Sequence, residues 1–269
     1  MTKRELIYRH SGWVRATHWI NVLALLVLLM SGMQIFNAHP ALYFGSDSDF
    51  DDPAVAMTYE RGEDGYRGVT EIFGTDFDTT GWLGGGLDSE GEFERYGFPW
   101  SITLPGYRSL AMGRHWHFFF AWVFVINGLI YLTYSLVSGH LRRDLTPDGR
   151  EMKGIGRSIV EHLKFRFNHQ ERSYNVLQKL SYLIVILVLL PLMLGTGLTM
   201  SPGMDAAYPW LLDIFGGRQS ARTIHFISAG LIVLFVFVHV FMVLVSGVWN
   251  NLRSMVTGRY AVSPKETQT

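Results

Sequence analysis

The chain has 269 residues, of which 48% are hydrophobic and 14% aromatic but only 17% charged, below the about 25% of soluble domains. Its formal net charge is zero, which removes the global field that a nucleic-acid partner would require. It has no cysteine, which excludes disulfides, iron–sulfur clusters, cysteine zinc sites and any C-x-x-C-H cofactor attachment.

In chain order, Lys3, Arg4, Arg9 and Arg15 precede a first apolar stretch at about 17–36. The run Trp19–Phe36 is longer than a signal-peptide core and lacks a small-x-small cleavage site, so it reads as a retained membrane helix. Residues 37–114 form a long insertion with fourteen Asp or Glu against five Arg. It holds Gly84-Gly85-Gly86 and many aromatics, and is expected to fold over one membrane face and touch a partner. Its Asp47-Ser-Asp49-Phe-Asp51-Asp52 resembles the start of a calcium loop, but lacks the glycine at position six and the acid at position twelve. An acidic docking surface is the simpler reading.

A second apolar stretch covers about 115–137, and a third, interrupted by Pro191, about 180–200. The loop 138–179 between them carries nine Lys or Arg against five acids. Within it Ile155, Ile159, Leu163 and Phe167 recur every four residues among Arg157, Lys164 and Arg166, the pattern of a basic amphipathic helix on a membrane surface. The fourth stretch covers about 223–249, and the tail adds Arg253, Arg259 and Lys265. Each stretch reaches the about 20 helical residues that a bilayer requires, and lipid leaves the backbone no alternative to a helix. The expected fold is therefore an all-α integral membrane protein, a bundle of four transmembrane helices with an extended periplasmic loop and a cytoplasmic amphipathic helix. The basic loops put both termini in the cytoplasm of a bacterial inner membrane and the acidic insertion outside.

Ionisable groups inside a span are functional candidates. His225 and His239 in the fourth span are fourteen residues apart, close to four turns, so they share a helix face about 21 Å apart along the axis. No single metal bridges that distance, but two centres can use them. The first span begins with His18 on the inner side, and the second begins with His117 on the outer side. With the alternating span directions, His225 is level with His117 and His239 with His18. Two facing imidazoles suit the axial positions of a b-type haem, whereas zinc wants four converging ligands and no Cys, Asp or Glu lies within the spans.

Three histidines share one frame: Arg15-Ala-Thr-His18-Trp19, Arg114-His115-Trp116-His117-Phe118 and Arg222-Thr-Ile-His225-Phe226. An arginine three positions earlier lies on the same face, nearer water, where haem propionates point. The frame favours His117, with the neighbouring His115 as its alternative. His10, His39, His140, His162 and His169 fall in loops or span ends and read as solvated groups, a proton relay being the minority alternative. The span methionines read as packing residues.

These frames, with the fourteen-residue spacing of His225 and His239, resemble the di-haem cytochrome b subunits of membrane-bound NiFe-hydrogenases and formate dehydrogenases, within the bacterial cytochrome b561 group. The resemblance covers all four spans and implies two haem b, the outer held by His117 and His225 and the inner by His18 and His239. It also implies exchange of electrons between a periplasmic enzyme and quinone near the inner haem. The insertion is longer than in the hydrogenase subunits, a form similar to relatives that accompany periplasmic molybdenum oxidoreductases. A hydrogenase-like enzyme or a cytochrome c are the other partners implied. No motif carries over for quinone; Asn21, one turn from His18, is the candidate, together with Arg15 and Asn250. A stand-alone quinol:oxygen or quinol:superoxide oxidoreductase and a histidine-based metal transporter remain the competing expectations.

Overall fold

A computed structural model describes residues 5–62, 65–163 and 175–262. Lys3, Arg4, Lys164, Arg166, Phe167, His169, Arg172 and Lys265, used in the charge and periodicity arguments above, lie outside the described residues, as do the side chains of 161–163.

Strand β1 (Glu5–Tyr8) leads into helix α1 (Gly12–Phe36), which is apolar along its length and ends where Asn37-Ala-His-Pro interrupts the hydrophobic run. The insertion then forms β2 (Ala41–Leu42), β3 (Val55–Gly62), β4 (Gly65–Ile72), β5 (Thr75–Asp78), β6 (Gly86–Leu87) and β7 (Phe93–Glu94). Helix α2 (Leu110–Val137) follows, and then a π-helical turn at Leu141–Leu145. Helices α3 (Gly149–Lys153) and α4 (Ile155–Leu163) occupy the basic loop. The third apolar stretch comprises α5 (Val176–Ile184), a π-helical segment Val185–Leu189 and α6 (Leu190–Thr199). Short helices α7 (Pro202–Ala207) and α8 (Trp210–Ile214) precede α9 (Arg218–Val245), α10 (Val248–Thr257) and β8 (Arg259–Val262).

Four helical stretches are long and apolar enough to cross a membrane: Gly12–Phe36, Leu110–Val137, Val176–Thr199 and Arg218–Val245. The expected kink at Pro191 takes a specific form. Proline lacks an N–H and its ring crowds the carbonyl four residues back, so the helix widens just before it and Leu190 N–H bonds to the Val185 carbonyl. The fourth stretch stops short of the expected boundary at 249. Gly247, at φ +104, adopts a conformation that a side chain resists, and the chain turns there into α10.

The chain divides into two compact units. The first comprises residues 1–21, 126–191 and 230–269. Within it β1 and β8 pair antiparallel, Leu6 opposite Ala261 and Ile7 opposite Tyr260, with the Arg9 guanidinium 4.6 Å from the Tyr260 ring centre. Asn250 holds this ribbon: its amide donates to the Ala261 carbonyl and accepts from the Ala261 N–H, both at 2.9 Å. Asp148 caps α3 and Asn175 caps α5, each in a reciprocal capping box. The buried Lys179 ammonium reaches both Glu151 oxygens, at 2.8 and 2.9 Å. In α4, Ser158 is buried whereas Ile159 and Val160 are exposed.

The second unit comprises residues 22–125 and 192–229. Its insertion is more regular than the sequence indicates: β2, β3, β4 and β5 form one antiparallel sheet in that order, with Tyr59 opposite Gly68 and Met57 opposite Thr70. The triglycine lies flat against this sheet. A Cβ on Gly84, at φ +80, would stand 2.2 Å from the Thr58 carbonyl oxygen, and one on Gly68 2.5 Å from that of Leu83. Phe36, Leu42 and Met57 form a buried core, joined by Val55, Leu83, Phe98 and Phe226.

Candidate functional site

The four span histidines meet in two pairs, one in each unit. In the first unit His18 of α1 faces His239 of α9, with ring centroids 6.4 Å apart and planes at 54°. In the second unit His117 of α2 faces His225 of α9, also with centroids 6.4 Å apart and planes at 60°. Two axial iron–nitrogen bonds of about 2.0 Å, with a ring radius of about 1.2 Å on each side, require centroids about 6.4 Å apart. Both pairs have the spacing that a metal ion held between two imidazoles, as in a haem, would need. Among the described residues no three His, Cys, Asp or Glu converge as a metal held by protein alone would need. His115 is exposed while His117 is partly buried and faces His225, so the geometry separates these neighbours.

The surroundings of the second pair determine which ring nitrogen is free. Ser31 Oγ donates its single proton to the Val27 carbonyl at 2.6 Å and lies 3.1 Å from His117 Nδ1. Having spent its proton, the hydroxyl accepts from Nδ1–H, which leaves Nε2 with its lone pair for a metal. Thr196 repeats the arrangement: its hydroxyl donates to the Leu192 carbonyl at 2.7 Å and lies 3.0 Å from His225 Nδ1. Each hydroxyl residue is followed by glycine, and each glycine lets the ring approach. A Cβ on Gly32 would stand 3.4 Å from His117 Cε1, and one on Gly197 3.4 Å from His225 Cε1. The dipeptides Ser31-Gly32 on α1 and Thr196-Gly197 on α6 thus cradle the two imidazoles in the same manner. Sequence reasoning missed both, although a hydroxyl–glycine step inside an apolar span was there to be noticed.

The first pair is built differently. His18 Nδ1 is buried without a hydrogen-bond partner among the described residues. Trp19 stands edge-on to the His18 ring at 5.3 Å, and Tyr182 and Phe235 pack on His239. Asn21 does not stand free beside them. Its Oδ1 accepts from Asn127 Nδ2 at 2.7 Å, and the same amide donates to the Thr17 carbonyl at 2.8 Å, joining α1 to α2.

The three frame arginines differ in surroundings. Arg15 donates from Nη1 to the Val256 carbonyl, and its Nε is buried without a partner among the described residues. Arg114 lies over the Phe118 ring at 5.7 Å. Arg222 donates to the His39 carbonyl and lies over Phe36 at 5.5 Å. Next to it His39 Nε2 is 3.1 Å from the Tyr43 hydroxyl. Burial, then the Arg222 and Arg95 charges, hold the His39 ring below its ordinary range, so it is neutral at physiological pH. Further bonds tie this segment to α9: Thr223 Oγ1 donates to the Tyr43 carbonyl, and Ser220 Oγ accepts from Gly45 N–H.

The family profile for prokaryotic cytochrome b561 matches residues 9–258, a range that contains all four paired histidines. The chain is 29% identical over 241 residues to a protein of Azospira oryzae named as a protein-methionine-sulfoxide reductase subunit, YedZ1, covering 89% of this chain and 92% of that protein. The four apolar spans and the family match together make this a multi-pass inner-membrane protein with an electron-transfer role, and the chain belongs to the prokaryotic cytochrome b561 family.

Proposed function

We propose that the protein is a di-haem b-type cytochrome that passes electrons between the membrane quinone pool and a periplasmic oxidoreductase. The observation that carries this reading is the pair of facing imidazole couples, each with centroids 6.4 Å apart. His18 and His239 would hold one haem, and His117 and His225 the other. Haems held in this way, each between two imidazoles, would supply one-electron transfer rather than oxygen binding. The chain does the rest: it orients the imidazoles, excludes water and places cations for the propionates, with Arg15, Arg114 and Arg222 each three residues before a ligand.

Loop charge supports the orientation, with both termini and the His18–His239 pair toward the cytoplasm and the insertion in the periplasm. The exposed apolar Ile159 and Val160 beside Arg157 support a placement of α4 on the inner leaflet. Quinone reacts on that side. Asn21 contributes there through Asn127 rather than as a free donor.

The insertion favours a partner over a free-standing oxidase. Phe44, Phe50, Phe73 and Trp82 are exposed on it, at 59%, 72%, 72% and 80%, and acidic Asp47, Asp49, Asp51 and Asp52 run alongside Phe44 and Phe50 in the sequence. A surface of this kind is made to be covered. The name of the Azospira oryzae relative points to the partner class and to the direction of flow. Quinol oxidation to quinone yields two electrons and two protons, and reduction of a sulfoxide to a thioether and water consumes two of each. The partner is then a periplasmic reductase of the molybdenum type, supplied with electrons from quinol.

A reduced-minus-oxidised spectrum with a haem count tests the reading. Two b-type haems per chain are expected, falling to one in His225→Ala and in His239→Ala. One haem or none in the wild type, or two retained in either variant, refutes it.

A further inference from the structure

We propose that Asp144 and His140 form the route by which protons released from quinol leave the first unit for water; this rests on the quinone-reactive di-haem reading above. His140 follows Gly139, whose φ of +69 ends α2 and turns the chain back. The π-helical turn Leu141–Leu145 then brings Asp144 under the ring, and His140 Nδ1 lies 2.6 Å from Asp144 Oδ2. The imidazole packs on Tyr131 and Tyr134 of α2, with ring centroids 6.5 and 6.4 Å away. Trp13 stacks on Tyr134 at 6.5 Å, so this corner adjoins the start of α1, five residues before His18. The side chains become less exposed inward along the pair, 35% for Asp144 and 14% for His140.

The chemistry suits transfer. Burial acts to raise the Asp144 carboxyl, but hydrogen bonds from Arg143 and His140 outweigh it and hold the group below the usual carboxylate range. Asp144 is therefore an anion at neutral pH and fixes the His140 proton on Nδ1, leaving Nε2 as a base. Burial, with the charges of Arg9, His140, His18 and Arg15, holds His10 of the same unit down at about 4, so it is uncharged at neutral pH. Oxidation of one quinol gives quinone, two protons and two electrons. The electrons would pass to the haem that His18 and His239 would hold. Each proton reaches His140 Nε2, the Nδ1 proton passes to the Asp144 carboxylate, and Asp144 releases it to water. The other groups facing the His140–Asp144 pair are Arg143, Tyr131 and Tyr134.

The test uses the full-length haem-loaded chain, a soluble quinol and a one-electron acceptor, with Asp144→Asn and His140→Gln as variants. Haem content and the dithionite-reduced spectrum should match the wild type. Quinol turnover should fall about tenfold or more, and added imidazole should restore part of it. The midpoint potential of one haem should lose part of its pH dependence in both variants. Wild-type turnover in either variant overturns the proposal. So does a loss of turnover that imidazole does not relieve while the potential keeps its pH dependence, since that marks a purely structural role. A wild-type chain that binds two haems but takes no electrons from quinol refutes the reading underneath and the route with it.

Discussion

Thr196→Val tests the imidazole cradle because it removes one hydroxyl and keeps the shape. Thr196 is 0% exposed, so no water replaces the lost acceptor, and the His225 Nδ1–H loses its 3.0 Å partner. An acceptor on Nδ1–H makes the ring a stronger donor to iron and favours the ferric state, so its loss raises the reduction potential. A buried hydrogen bond is worth about 1 kcal/mol net, which for one electron corresponds to about 40 mV. A redox titration followed in the b-haem absorption band should resolve two components. In Thr196→Val one should rise by tens of millivolts while the other stays, and Thr196→Ser should restore it. If neither component moves, or both move equally, the hydroxyl does not act on the ring and the tautomer argument fails.

Three further outcomes follow from the geometry. Because His115 is exposed and His117 faces His225, His115→Ala should keep both haems and His117→Ala should keep one, read as haem per chain. Glu151→Ala strands the Lys179 ammonium, 7% exposed, and should cost about 3 kcal/mol, seen as a lower thermal midpoint in detergent; Glu151→Ala with Lys179→Met should recover most of it. His10 titrates near 4 in the fold against 6.5 when unfolded, so between these values the unfolded chain binds the extra proton. Its contribution, about 2 kcal/mol after allowance for screening, is complete above pH 6.5 and is lost as pH falls toward 4. His10→Gln should flatten that part of the curve of thermal midpoint against pH.

The spans and the histidine pairing were legible because each depends on one local periodicity. An apolar run of about 20 residues has a single folded form in lipid, and a spacing of fourteen on a helix defines a face. The cradle was not legible: Ser31 and Thr196 meet their histidines across 86 and 29 residues, and a lone hydroxyl in an apolar span more often bonds its own helix, as both also do. The sheet was missed for a related reason. Met57-Thr58-Tyr59-Glu60 alternates as a strand does, but Arg67 and Glu71 share a face with Val69 and dilute that pattern in β4, and it is Gly68 and Gly84, packed against the backbone of their neighbours, that permit the close layering. The β1–β8 ribbon joins strands more than 250 residues apart, beyond any local pattern. Asn21 was singled out by its place one turn from His18 in the sequence, which could not reveal that Asn127 Nδ2 donates to its side-chain oxygen.

Neither unit is continuous along the chain, and this sets a timetable for biogenesis. During synthesis the His117–His225 couple becomes complete when residue 225 enters the membrane, fourteen residues before His239 supplies the other, and the β1–β8 ribbon closes last of all. On the di-haem reading proposed above, cofactor delivery would thereby be ordered: a nascent protein halted between these points would retain one porphyrin but not both.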